Sequence, residues 1–209
     1  MSHSPRLVLA SASPRRQELL RNAGIAFIVH PTNIPEVPHP AESGRDCAER
    51  LARKKARAVF HDHPDDFVLG ADTVVIVDGE ILGKPRDETD AMRMLRVLSG
   101  RTHEVITGVC LIGPPLKTEN KKLRTGFEDI RVEDTRSETT LVTMTTLTDE
   151  DIRRYIASGE PMDKAGGYAI QGIASRWIPR IEGDYFNVVG LPVRLVYEML
   201  VEHGWEQGQ

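Results

Sequence analysis

Residues 7–20, Leu7-Val8-Leu9-Ala10-Ser11-Ala12-Ser13-Pro14-Arg15-Arg16-Gln17-Glu18-Leu19-Leu20, read as a buried strand that runs straight into a helix. The first four are apolar without alternation, the pattern of a strand covered on both faces, which argues for a helix-flanked sheet. Pro14 suits the first helical turn, where its missing N–H is not needed, and Ser13 is the natural N-cap. Such a junction can hold an anion, because free N–H groups and the positive end of the helix dipole point at it. Arg15 and Arg16 oppose that dipole by ~0.3–1 kcal/mol each, so the pair needs a reason. Either the guanidiniums clamp a phosphate or they turn to solvent and surface carboxylates, and this segment alone does not separate the two.

Outward from the junction, the helix is expected over Pro14–Asn22 with Gly24 just past its end, followed by a short strand at 25–29. Residues 31–40 contain Pro31, Pro35, Pro38 and Pro40, which forbid regular structure and make a loop carrying Glu36. Ser43 can cap the next helix with Asp46 at the third position, and Ala48, Leu51, Ala52, Lys55, Ala58 and Val59 fall on one face. Lys55 therefore sits on an apolar stripe, where it must snorkel or meet a charged partner. Phe67–Val77 is β-branched and apolar and ends in Asp78-Gly79, the signal of a two-residue hairpin turn. Asp72 interrupts this run. A carboxylate there is costly to bury unless it binds a metal, pairs with a cation or takes protons; the alternative is a bulge at Gly70 that lets Asp72 reach water.

After the turn, Gly83-Lys84-Pro85 holds a lysine in a fixed bend. Asp87 caps a helix whose core face is Ala91, Met94, Leu95 and Leu98, and Gly100 ends it. A strand is expected at 103–112, a polar excursion at 113–137 including the basic cluster at 117–122, and a strand at 139–145. Thr148 with Asp151 makes an acidic capping box, and Leu147 and Ile152 a hydrophobic staple. Residues 160–172 form a small-residue loop with Asp163, Lys164 and Gln171 that can bring backbone close to a ligand. Residues 177–181 and 185–189 read as a hairpin around Glu182-Gly183-Asp184, and Pro192 opens a last helix with Leu195, Val196, Met199 and Leu200 inward.

The 209 residues are 40% hydrophobic, enough for a core, and the few aromatics make it aliphatic. A net charge of -4 argues against general affinity for nucleic acid or anionic membrane, and points to a small ligand. Cys47 and Cys110 have no metal-ligand spacing, and no apolar run is long enough for a membrane span or signal peptide, so a cytoplasmic protein is expected. No linker stands out; one domain over 1–209 is expected, with a mixed sheet flanked by helices and two lobes around a cleft. His61-Asp62-His63 reads as a solvated turn, and His103, at the start of a strand, reads at least as well as a capped structural histidine as a catalytic one.

The polar residues in costly places are Arg15, Arg16, Glu36, Lys55, Asp72, Lys84, Asp163, Lys164 and Gln171. That mixture suits a polyphosphate held through Mg²⁺ or Mn²⁺: cations neutralise phosphoryl oxygens, carboxylates hold the hard metal, and one carboxylate orients or deprotonates water. There is no Walker A spacing and no Gly-x-Gly-x-x-Gly after a strand, so P-loop and Rossmann chemistry lose support.

Ser11-Ala12-Ser13-Pro14-Arg15-Arg16, Gly70-Ala71-Asp72-Thr73, Gly83-Lys84-Pro85, Leu98-Ser99-Gly100 followed by His103, and Asp163-Lys164-Ala165-Gly166 through Gln171-Gly172 resemble the Maf family of nucleoside triphosphate pyrophosphatases, in order over nearly the whole chain. The resemblance implies an inosine-triphosphatase-like (HAM1) α/β fold, commonly a homodimer. It implies metal-dependent hydrolysis of a nucleoside triphosphate to the monophosphate and pyrophosphate. By resemblance Asp72 is the proton acceptor, with Lys55 and Lys84 in the catalytic group. Arg15, Thr73 and Gln171 match substrate-selecting positions, Ser11, Arg16, Glu36, Lys55 and Lys84 the phosphate and metal neighbourhood, and Glu36 with Asp72 the metal ligands. The loop with Gln171 is similar to the dTTP/UTP branch rather than the 7-methyl-GTP branch. A rival implied by the family's septum-formation name is a nucleotide-binding regulator of cell division. Gly167 replaces the usual alanine, and Pro35 stands where an acidic residue often precedes Glu36.

Overall fold

Leu7–Leu9 (β1) is wholly buried and pairs in parallel with both Ile28–Val29 (β2) and the first third of Phe67–Val77 (β3), as its unbroken apolar pattern requires. The computed structural model describes residues 5–114 and 132–206. Its seven-stranded sheet runs β2-β1-β3-β5-β6-β7, where β5 is Thr102–Gly113, β6 Val132–Thr143 and β7 Arg180–Glu182; Glu80–Leu82 (β4) pairs with β3 alone. The turn at Asp78 and Gly79 has φ of 49° and 80°, so both central residues are left-handed, as a two-residue hairpin demands.

Helices cover both faces. Pro14–Asn22 (α1), Tyr185–Val189 (α5) and Val193–Glu202 (α6) lie over one half of the sheet, where Leu7, Leu9, Leu20, Leu69, Leu111, Val196 and Met199 form a core. Glu88–Leu98 (α3) and Asp149–Ala157 (α4) close a second core around Val75, Leu95, Val142, Met144 and Tyr155. The α4 capping box is complete, with Leu147 and Ile152 buried in the same cluster. Gly44–Phe60 (α2) packs flat on the other face, capped by Ser43, whose Oγ accepts the Asp46 N–H at 3.1 Å. Its close approach depends on two glycines: a Cβ at Gly70 would stand 2.2 Å from the Ala52 carbonyl, and one at Gly108 would stand 2.4 Å from the Ala48 backbone.

Five expectations are corrected. The second strand covers only Ile28–Val29, because Ile25 turns into the core beneath α1. Ala58 is exposed; α2 instead turns Ala56 onto the sheet, where Gly70 leaves room. The 113–137 excursion is shorter than expected, since Val132 to Ser137 extend β6 in register with β5 and are held by the α2 cations Arg57 on Glu133 and Arg45 on Ser137. Residues 115–131, with the 117–122 basic cluster, lie outside the described residues. Residues 185–189 are a helical turn rather than a strand: Asp184 Oδ1 accepts the Phe186 N–H at 2.7 Å as an N-cap, and Gly190, with φ of 125°, ends it. His63 is half-buried rather than solvated, its Nε2 lying 3.0 Å from His30 Nδ1. Among the described residues no helix is long and apolar enough to cross a membrane. Cys47 and Cys110 are free and buried.

His103, at the start of β5, is buried with its Nε2 2.7 Å from the Tyr168 hydroxyl, which ties the 160–172 loop to the sheet. Its Nδ1 has no partner among the described residues, and burial pushes its pKa down to about 4. The unfolded chain therefore takes up a proton that the folded chain refuses as pH falls from 6.5 toward about 4. Stability conferred by neutral His103 is full above that window and lost within it, by about 3 kcal/mol at its acid end. Denaturant unfolding at about pH 7.5 and about pH 5 checks this: the native chain is expected to lose more stability than His103→Gln, and equal losses overturn the assignment.

Candidate active site

The long strand β3 changes partners partway along one edge. β1 pairs as far as Leu69, and β4 begins only at Val75, so the stretch from Gly70 to Val74 has its β5 neighbour on one side and a gap on the other. Backbone groups in that gap turn to side chains, water or a ligand in place of a strand partner. The Ala71 carbonyl accepts from Arg16 Nη1 at 2.9 Å, with Lys55 Nζ 3.5 Å away. The gap opens into a cleft of about 900 Å³, within the usual range of a small-molecule site. Ser11, Arg15, Arg16, Glu36, Lys55, Asp72, Thr73, Lys84, Asp163, Lys164 and Gln171 all line it.

A row of alternating charge crosses the gap. Lys55 Nζ stands 2.6 Å from Asp72 Oδ1 and 2.5 Å from Glu36 Oε1, and Lys84 Nζ stands 2.6 Å from Glu36 Oε2. Lys55 and Asp72 are buried, with side chains each 6% exposed; Glu36 is a third exposed and Lys84 about half. The α2–sheet contact creates the inner pair, because Ala52 and Ala56 against Gly70 bring Lys55 down onto Asp72. No bulge forms at Gly70, which stays in register with Cys110. Burial pushes the Glu36 carboxyl up, but the charges and hydrogen bonds of Lys55 and Lys84 outweigh it and hold the group at about 2. At Asp72 burial wins over Lys55 and Arg16, and its pKa is raised.

Arg15 and Arg16 part company. Arg16 is buried, and four of its five N–H donors are used internally: Nε on the Gly190 carbonyl at 2.8 Å, Nη1 on Ala71 O and Ser11 Oγ, and Nη2 on Thr73 Oγ1 at 3.1 Å. This is the reason for an arginine at a helix N-terminus: it clamps β1, β3 and the α5–α6 junction together at the cleft. Burial pushes its pKa down, opposed by the Asp72 and Glu36 carboxylates. Arg15 is more open, with Nη1 3.4 Å from Asp163 Oδ2. Asp163 also pairs with Lys164, whose Nζ reaches the Glu160 carbonyl at 3.1 Å. The helix N-terminus is partly satisfied from within: Ser11 Oγ accepts the Ser13 N–H at 3.2 Å, Ser13 Oγ accepts from Arg16 N, and Pro14 has no N–H. Gln171 is exposed on the cleft wall, in the loop tied to the Gly83-Lys84-Pro85 bend by Gly166 N–H on Gly83 O at 3.0 Å.

Sequence reading passed over Thr107 and Asn187, both fully buried and hydrogen-bonded behind Thr73 and Arg16. Thr107 looks like any strand threonine, and Asn187 lay in a segment read as a strand. Among the described residues, Asp134, Glu202 and His203 also converge, away from the cleft, but Arg136 already donates to both carboxylates.

A mixed α/β sheet opened along one edge, with paired cations and carboxylates in the opening, defines a protein built to hold a small polyanion. The chain belongs to the Maf-like protein family, whose model matches residues 6–203. It is 54% identical over 95% of its length to a dTTP/UTP pyrophosphatase of Koribacter versatilis, covering 94% of that protein. It is 48% identical to a dTTP/UTP pyrophosphatase of Symbiobacterium thermophilum, covering 95% of this chain and 94% of the relative. Among solved structures, the Ham1 protein of Staphylococcus aureus is similar at 13% identity and a TM-score of 0.44, over 66% of this chain and 71% of that one.

Proposed function

We propose that this protein is a dTTP/UTP pyrophosphatase, cleaving between the α- and β-phosphates to release the nucleoside monophosphate and pyrophosphate. The observation that carries the reading is the charge row Asp72–Lys55–Glu36–Lys84 at the sheet gap, with its inner pair Asp72–Lys55 buried. The names of relatives close to half identical over nearly the whole chain support the choice of substrate. In the proposed reaction a water oxygen bonds to the α-phosphorus as the bond to the bridging oxygen breaks. The water's proton passes to Asp72, and the pyrophosphate leaves with the electron pair. Asp72 suits this task because burial raises its pKa toward that of an effective base. Lys55 and Lys84 neutralise charge as it develops on the phosphoryl oxygens, with Arg15 at the mouth of the cleft.

Glu36 and Asp72 direct oxygens at one cationic point, the Lys55 ammonium, so a second hard cation beside them fits their chemistry. We assign them as holders of Mg²⁺ or Mn²⁺, which when bound would neutralise and orient the triphosphate. Thr73 and Gln171 are proposed to read the base, Ser11 and Arg16 to shape the phosphate side, and Asp163 and Lys164 to border the substrate. A homodimer in the cytoplasm completes the reading, in keeping with the family resemblance.

A panel of nucleoside triphosphates with Mg²⁺ or Mn²⁺, products resolved, tests this. Metal-dependent formation of dTMP or UMP with pyrophosphate is expected. Dominant cleavage of 7-methyl-GTP, or release of orthophosphate, overturns the assignment. Saturable binding without any metal-dependent product turns it toward a regulatory nucleotide binder.

A further inference from the structure

Thr107 is opposite Thr73 in the β3–β5 pairing, and their hydroxyl oxygens are 3.0 Å apart. The same Thr107 oxygen is 2.9 Å from the main-chain carbonyl of Asn187. Thr107 has one hydroxyl proton. Were it given to Thr73, the Thr107 oxygen would face the carbonyl oxygen at 2.9 Å with no proton between them, two lone-pair-bearing atoms in a site closed to water. Thr107 therefore donates to Asn187, and Thr73 must donate to Thr107. Arg16 Nη2, 3.1 Å from Thr73 Oγ1, can only donate. The direction of every bond is fixed: Arg16 to Thr73, Thr73 to Thr107, Thr107 to Asn187.

The far end of the chain is anchored as firmly. Asn187 Nδ2 donates to Val105 O at 2.9 Å and to Thr140 Oγ1 at 3.0 Å, and Thr140 donates onward to Asp184 O at 2.9 Å. A flipped amide would set Oδ1 against the Val105 carbonyl, so the amide orientation is determined even though it leaves Oδ1 buried without a partner among the described residues. The Asn187 carbonyl is thus held in place for Thr107.

We propose that Thr107 is a positioning residue that makes Thr73 an obligate hydrogen-bond acceptor toward the cleft, and thereby selects a base whose ring N3 carries a hydrogen. The Thr73 proton is committed to Thr107 and one lone pair to Arg16, which leaves a single lone pair for substrate. Uracil and thymine present N3–H between two carbonyls, whereas cytosine presents a bare N3 lone pair. The inference rests on the reading of this cleft as a dTTP/UTP site with Thr73 beside the base.

The experiment compares kcat/KM for UTP and CTP in the native enzyme, Thr107→Val, Thr107→Ser and Thr73→Val, with thermal unfolding to check that each is folded. The native enzyme is expected to prefer UTP. Thr107→Val frees the Thr73 hydroxyl to rotate and is expected to lower the UTP-to-CTP preference by about 10-fold, with Thr107→Ser restoring it. An equal loss on both substrates in Thr107→Val, with Thr73→Val still shifting the preference, overturns the proposal and leaves Thr73 beside the base. A preference unmoved by Thr73→Val removes Thr73 from base reading altogether, and the proposal falls with it. Should Thr107→Val not fold, Thr107→Ala is held to the same criteria, and equal native activity on UTP and CTP overturns the proposal without any variant.

Discussion

Asp72→Asn is expected to lower kcat by about 10²-fold or more while the protein stays folded, with KM changed far less. Asparagine has the same shape, and its amide oxygen can still accept from Lys55 Nζ, now 2.6 Å from Asp72 Oδ1. It cannot take a proton from water. The fold should survive because Lys55 keeps its second carboxylate partner, Glu36, and because burial already raises the Asp72 pKa, so loss of this anion is tolerated. Steady-state turnover of dTTP and a melting curve check the two halves of the statement. Near-native turnover in a folded Asp72→Asn protein removes Asp72 from the role of base, whereas a large rise in KM alone makes it a binding group.

The features of this site that sequence reading could reach were those that broke a local rule. Asp72 stands in an apolar β-branched run, Lys55 on the inward stripe of a helix, and two arginines at a positive helix end, and each oddity marks a residue now at the gap in β3. The gap itself was not legible. It exists because the pairing of β3 with β1 stops at Leu69 and its pairing with β4 begins at Val75, which is a fact of tertiary pairing with no signature in local pattern. The division between Arg15 and Arg16 was hidden for the same reason, since it depends on carbonyls of Ala71 and Gly190 from distant parts of the chain. Tyr185-Phe186-Asn187-Val188-Val189 misled because these are β-forming residues. A cap at Asp184 and a left-handed glycine at Gly190, one at each end of the five-residue turn, overrode propensity. Thr107 broke no rule at all. Its role comes from which proton goes where, and that requires the positions of three oxygen atoms.

Lys55→Met is expected to be the most damaging single change in the cleft, costing about 3–5 kcal/mol of stability as well as activity. Methionine matches the length and apolar stem of lysine, so the α2 packing is kept and the lost quantity is charge. The ammonium is the only group bonded to both Asp72 and Glu36 among the described residues, and the Asp72 side chain is 6% exposed. Without it a buried carboxylate faces another across the site, with Arg16 drawn off onto Gly190, Ala71, Ser11 and Thr73. Glu36 retains Lys84 and can turn toward water, but Asp72 cannot. The stability loss should therefore lie in Asp72, and the double variant Lys55→Met/Asp72→Asn should recover part of it by deleting the stranded charge, with a coupling of about 1–3 kcal/mol. Activity should not return, because neither the base nor the cation that holds Glu36 in place is restored. Urea unfolding of the native protein, both single variants and the double variant measures this cycle. A Lys55→Met protein within about 1 kcal/mol of native stability, or a double variant whose loss is the sum of the singles, contradicts a charge row in which Lys55 is the tie between two carboxylates.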